Sequence, residues 1–209
     1  MLAKLSRRPK LCAISKHMTS PAPKPATYAD VLAVPAPLVA QVLDGTLYTH
    51  PRPSPRHAVA SLALGRELSG SMLGGSGGPG GWVFMVEPEL HLGFDIVVPD
   101  IAGWRRENLP TLPDTPYLET PPDWLCEILS PSTERLDRGL KRRIYAEAGV
   151  KHMWLIDPRS QVLEAFALTG GQWLLVGTAQ GGDDVSIAPF DAISFSLAAL
   201  WPFDLPSQS

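Results

Sequence analysis

Asp100 and Glu127 are carboxylates in places where carboxylates are costly, and Lys141 follows Glu127 on the next expected helix. Glu127 lies in the apolar run WLCEIL, where strand alternation turns it to the same face as Leu125 and Leu129. An acid among buried leucines must be paired, protonated or bound to a cation. Asp100 closes the run IVVP, whose apolar density suits a strand covered on both faces. Two carboxylates near the ends of two such strands can be presented to a cleft. On the helix expected over 134–148, Arg138, Lys141 and Tyr145 share a face beside the stripe Leu136, Leu140 and Ile144. A lysine there flanks the core and could reach Glu127. Such a trio can hold a hard divalent ion, Mg²⁺ or Mn²⁺, together with phosphate oxygens of a substrate. The ion would polarise a phosphodiester and acidify a water, while Lys141 would stabilise the charge of the pentavalent transition state.

Each of the three also has an ordinary structural reading. Asp100 could cap the turn before Gly103, and Glu127 could pair with a core arginine or lysine. Lys141 could be a solvated partner of Asp137, an acid-then-lysine pair at i,i+4. Further candidates are weaker. Glu87, Glu89 and His91 alternate onto one strand face, and Glu89 is the choice among them for an additional ligand. His57 opens a helix after RPSPR and could touch substrate or stabilise the helix entrance. Arg138 and Arg142 belong to the most basic stretch of the body and are the candidates for nucleic-acid contact, although a solvated helix face is the default for such a run.

The elements that must position these residues are legible from pattern. Thr27 can cap a short helix, YADVLAV, stopped by Pro35. Asp44-Gly45 sits between two strand-like runs and predicts a tight hairpin, because Gly tolerates positive φ. HAVASLALGRELSG favours helix by composition, with Val59, Leu62 and Arg66 at helical spacing, and dissolves into the flexible loop LGGSGGPGG. Two strands are expected next, WVFMVEPELHL and DIVVPDIAGW, then a Pro-rich excursion and the strand WLCEIL. The second helix should end at Gly149. HMWLID, VLEAFAL, QWLLVGTA and ISFS read as strands, and LAALW closes the domain. Helix, three strands, helix and strand predict an α/β core with a mixed central sheet flanked by helices, extended by an N-terminal hairpin and C-terminal strands.

Charge is unevenly spread. Lys4, Arg7, Arg8, Lys10, Lys16 and Lys24 precede the first acid and carry +6, while the remaining 12 basic and 21 acidic residues carry −9, recovering the formal −3. An acidic body argues against strong nonspecific DNA binding, which depends on phosphate neutralisation. Residues 1–26 read as a basic, Pro-rich disordered tail, with Met18 heading a more ordinary start, 27–203 as one domain and 204–209 as a tail. No apolar run approaches the roughly 20 residues of a membrane span, and no secretory signal is evident. Cys12 and Cys126 are a distant, mismatched pair, which fits a reduced cytoplasmic protein with neither a disulfide framework nor structural zinc.

VVPDIA followed by PPDWLCEILSPSTERLDRGLKRRIYAEAGVKHMWLIDP resembles the Uma-type restriction-endonuclease family of bacteria, within the PD-(D/E)XK superfamily. Pro99-Asp100 matches the PD element. Glu127-Ile128-Leu129 matches (D/E)XK except at Leu129, and Lys141 stands where the family commonly supplies the missing lysine from the following helix. The resemblance runs from about Tyr28 to Trp201 and is densest from Glu87 to Pro158. It implies a restriction-endonuclease-like fold and a metal held by Asp100, Glu127 and the backbone carbonyl of Ile128. The expected activity is divalent-metal-dependent hydrolysis of DNA, by a monomer or a homodimer. Two other functions compete: a nuclease-like fold that binds DNA or protein without cutting, and an oligomeric scaffold whose apolar strands and C-terminal LAALWPF form a subunit interface.

Overall fold

The computed structural model describes residues 24–72 and 80–203. The basic tail, Cys12, Met18 and most of the Gly-rich loop lie outside the described residues. Thr27 opens α1 (Tyr28–Leu32), where the Asp30 carboxylate accepts from the Thr27 N–H and hydroxyl, each at 2.7 Å. The hairpin β1 (Val39–Leu43) and β2 (Thr46–His50) turns at Asp44 (φ 52°) and Gly45 (φ 71°), the two positive φ values a tight two-residue turn requires.

Helix α2 (Pro55–Met72) extends beyond the expected segment at both ends, with Pro at its first position. Its buried stripe is His57, Ala60, Ser61, Leu64, Leu68 and Met72, whereas Leu62 faces solvent.

The two long strands expected between 82 and 104 are four. They are β3 (Trp82–Val86), β4 (Leu90–Leu92), β5 (Asp95–Val97) and β6 (Ile101–Arg105). Glu87 at φ 48° with Pro88 breaks the first run, and Pro99-Asp100 breaks the second. The halves then join different sheets. β4 and β5 complete a four-stranded sheet of order β2-β1-β5-β4, while β3 and β6 enter a six-stranded one.

Strand β7 (Trp124–Ile128) is followed by a helical segment and then β8 (His152–Asp157), β9 (Val162–Thr169) and β10 (Gln172–Gln180). The larger sheet runs β10-β9-β8-β7-β6-β3, with β7 and β8 parallel and the other pairs antiparallel. The segment between the parallel strands is helical from Glu134 to Glu147 but not uniformly α. It comprises α3 (Glu134–Leu136), a π-turn (Asp137–Lys141) and α4 (Arg142–Glu147). β11 (Asp184–Val185) and β12 (Phe195–Ser196) form a small ribbon, and a 3₁₀ turn (Leu197–Leu200) follows.

Two cores sandwich the larger sheet. Trp124, Cys126 and Ile128 of β7 pack with Leu64, Leu68 and Met72 of α2. Leu125 and Leu129 pack with Ile144 and Tyr145 of α4 on the opposite side, where Leu136 and Leu140 join them. Leu197, Leu200 and Trp201 are buried in the first core, whereas Pro202 and Phe203 at the end of the LAALWPF segment are exposed. No helix among the described residues is long and apolar enough to cross a membrane.

Candidate active site

The ladder between β6 and β7 pairs Ile101 with Cys126, so one further step sets Asp100 opposite Glu127. Cross-strand partners share a face. Asp100 is fixed in that position by accepting, at Oδ2, the Ile128 N–H at 2.6 Å. Its other oxygen meets Nε2 of His57 from the first turn of α2 at 3.1 Å.

Glu127 is 2 % exposed. Lys141 Nζ lies 2.7 Å from its Oε1, and the Tyr145 hydroxyl donates to the same oxygen at 2.5 Å. The face shared by Lys141 and Tyr145 therefore turns onto Glu127 as the helical spacing predicts. The π-turn ends at Lys141. Widened turns of this kind recur at functional sites, where they re-aim one side chain within an otherwise regular helix.

Lys141 is as buried as its partner and is held at both ends of its helical pairing: Asp137 Oδ1 stands 3.2 Å from Nζ. The solvated Asp137–Lys141 pair allowed by the sequence is thus a buried one, facing the same site. Asp137 Oδ1 is sequestered from solvent, yet no donor reaches it in hydrogen-bond geometry.

These groups line a cleft of about 230 Å³ together with His50, Arg52, Ser54, Ser130 and Thr133. Three carboxylates, Asp100, Glu127 and Asp137, share it with the Lys141 ammonium, the Arg52 guanidinium and the His50 and His57 imidazoles. Burial, reinforced by Asp137 and Asp100, pushes the Glu127 carboxyl from 4.5 up to about 8 against the pull of Lys141. Burial by itself would lower the Lys141 ammonium, but Glu127, Asp137 and Asp100 outweigh it, so the group is raised and stays charged. Burial likewise opposes charge on His57, and Asp100, Glu87 and the Ile128 carbonyl more than offset it. Tyr145 is held well above its ordinary value by burial and Glu127, so it remains a donor.

Among the described residues no group of three or more His, Cys, Asp or Glu is arranged to hold a metal ion. Mg²⁺ is commonly bound through one or two carboxylates with water and phosphate oxygens, and the facing carboxylates of Asp100 and Glu127 would suit such an ion.

The model of the Uma2 family, described as "Putative restriction endonuclease", matches residues 27–199. The chain belongs to that family. A crystal structure titled as a putative nuclease belonging to DUF820, from Anabaena variabilis, shares the fold of this Uma2 protein. The TM-score is 0.65 at 18 % identity, covering 85 % of this chain and 98 % of that one. No curated protein matches by sequence. Architecture and family agree on a restriction-endonuclease-like α/β fold with a mixed central sheet, and point to nuclease chemistry.

Other expected site residues of the Uma2 chain lie elsewhere. Glu89 bonds His91 at 2.9 Å, and His91 stacks on Tyr117, outside the cleft lining. Glu87 is the nearer acid, because its N–H donates to the Asp100 carbonyl at 3.0 Å. Arg138 pairs with Glu134 and Glu164, and Arg142 lies over the Phe166 ring, both turned toward β9 rather than into the cleft. Sequence reading missed Asp137 as a site residue; its spacing to Lys141 was the available signal. A separate groove between Pro55, Arg56, Val59 and Trp201–Phe203 is mainly apolar and holds no carboxylate.

Proposed function

We propose that this Uma2 protein is a divalent-metal-dependent endonuclease that hydrolyses DNA phosphodiester bonds. The observation that carries the reading is the buried contact of Lys141 with Glu127, one register step from Asp100, at the floor of a cleft. It gives a strand that has Leu129 in the lysine position a lysine from the next helix.

Asp100, Glu127 and the Ile128 carbonyl would hold Mg²⁺ or Mn²⁺, which supplies Lewis acidity toward the phosphate when bound. The chain's own residues do the rest. Ile128 N–H and His57 orient Asp100, and the Tyr145 hydroxyl orients Glu127. Lys141 keeps its proton at neutral pH, so it acts as a fixed positive charge against the negative charge that develops on phosphorus oxygens, and not as a base. Arg52, Ser54, Ser130 and Thr133 at the cleft provide donors suited to neighbouring phosphates.

The non-cutting reading draws on the acidic body, but the inward position of Lys141 does not favour it. Titrating Mg²⁺ and Mn²⁺ by calorimetry into wild type and an Asp100→Ala/Glu127→Ala variant, with DNA nicking measured on the same samples, separates the two. Binding and nicking that both vanish in the variant support catalysis. Identical behaviour of both proteins, without binding or cleavage, would leave a binding module.

A further inference from the structure

Of the three acids of the cleft, one has no evident task in holding a metal. Asp137 is 2 % exposed, begins the π-turn that Lys141 ends, and places Oδ1 3.2 Å from the Lys141 ammonium. A buried carboxylate without a full set of hydrogen bonds is costly to keep. An ammonium has three donors. Glu127 engages one, and Asp137 stands within ion-pair range at 3.2 Å without a hydrogen bond, so a donor remains for a substrate oxygen.

A lysine on a long, flexible stem needs such a second anchor more than a lysine on the strand itself would. With Glu127 alone, the ammonium could pivot about one oxygen; a second carboxylate within ion-pair distance restrains that pivot. The widened turn keeps Asp137 and Lys141 on the same side of the helix, toward the sheet, while Arg138 turns to Glu164. We infer that Asp137 is a positioning residue, which holds the Lys141 ammonium against Glu127 with one N–H left free for the substrate phosphate. The inference rests on the nuclease reading only for the word substrate; the positioning itself is a property of the folded chain.

The test uses the full-length protein and two readouts. Asp137→Asn removes one of three buried acids and leaves Lys141 paired with Glu127, so it should fold, as circular dichroism would verify. Acetylation by N-hydroxysuccinimidyl acetate, read residue by residue by mass spectrometry, reports how firmly Lys141 is held, with the exposed Lys24 as internal reference. Expected in Asp137→Asn are an approximately tenfold faster labelling of Lys141 and a 10- to 100-fold fall in nicking kcat with KM little changed, roughly what loss of an orienting partner does at such sites. Asp123→Asn, which loosens the fold away from the cleft, should leave the Lys141 labelling rate unchanged. Labelling of Lys141 that is equal in wild type and Asp137→Asn overturns the inference, as does faster labelling with an unaltered kcat. If wild type cuts no DNA, the labelling result alone decides the positioning role, and only the nuclease reading falls.

Discussion

Strand β7 has an acid at each end, and the two have opposite surroundings. Asp123, just before the strand, is met entirely by donors: the Arg105 N–H at 2.8 Å, the Asn108 amide at 2.8 and 2.9 Å, and Lys151 Nζ at 2.7 Å. Burial would raise it, but Lys151, Asn108 and the Arg105 N–H together hold it below its ordinary value. Glu127, four residues on, is more deeply buried and shares its space with Asp100 and Asp137, and its carboxyl is pushed up. An acid surrounded by donors fastens the fold. Glu127 has Lys141 and Tyr145 on one oxygen, yet burial, with Asp137 and Asp100 nearby, outweighs them. Two carboxylates at opposite ends of one strand are thus shifted in opposite directions by burial and neighbours.

The contrast breaks most visibly in activity. Glu127→Gln should lower nicking by on the order of 10²–10³-fold, the effect of removing one principal electrostatic group from such a site. Its stability, read by urea unfolding near neutral pH, should stay within about 1 kcal/mol of wild type, because Gln mimics the neutral carboxyl that burial favours there and keeps an oxygen toward Lys141 and Tyr145. At the other end of the strand the pattern inverts. Asp123→Ala should cost about 3 kcal/mol of stability, since it strands several donors of a charged acceptor, while the nicking rate of the folded fraction is unchanged. A loss of activity in Asp123→Ala that exceeds its unfolded fraction would erase the distinction.

The two acids also predict opposite pH slopes for protein kept metal-free with chelator. The Asp123 carboxyl is depressed in the folded state, so its stabilisation is complete above its ordinary 3.8 and is lost as pH falls through the lower folded value. Glu127 is raised from 4.5 to about 8. The folded state therefore keeps a proton that the unfolded chain has released, and stability declines as pH rises across that window. Unfolding free energies between pH 3 and 9 should show Asp123→Asn flattening the acid limb and Glu127→Gln flattening the decline toward pH 8. The smallest effect belongs to Lys151→Ala, below about 1 kcal/mol, because its side chain is largely exposed and the backbone and Asn108 retain Asp123.

Much of the site was legible because it follows from periodicity. Alternation along WLCEIL turned Glu127 to the face of Leu125 and Leu129, and helical spacing brought Lys141 and Tyr145 beside the stripe that packs there. Asp44-Gly45 fixed its hairpin through backbone conformation alone. Glu89 and Arg138 show the limit of the same logic. Alternation puts Glu89 on a face but does not say which sheet that face belongs to, and β4 leaves with the smaller one. Composition marks Arg138 and Arg142 as basic, yet β9 offers Glu164 and the Phe166 ring on the side they face.

What the sequence by itself determined, then, is local: the elements and their polar and apolar faces, which put Lys141 on a face from which it could reach Glu127. These follow from torsional preferences and spacing within a few residues. The tertiary structure alone decided that the runs over 82–92 and 95–104 divide between two sheets, that His57 of α2 reaches Asp100, and that Asp137 is sealed in beside Lys141. Each of those depends on which distant backbone supplies the next hydrogen bond or closes the space, and no local pattern encodes the partner.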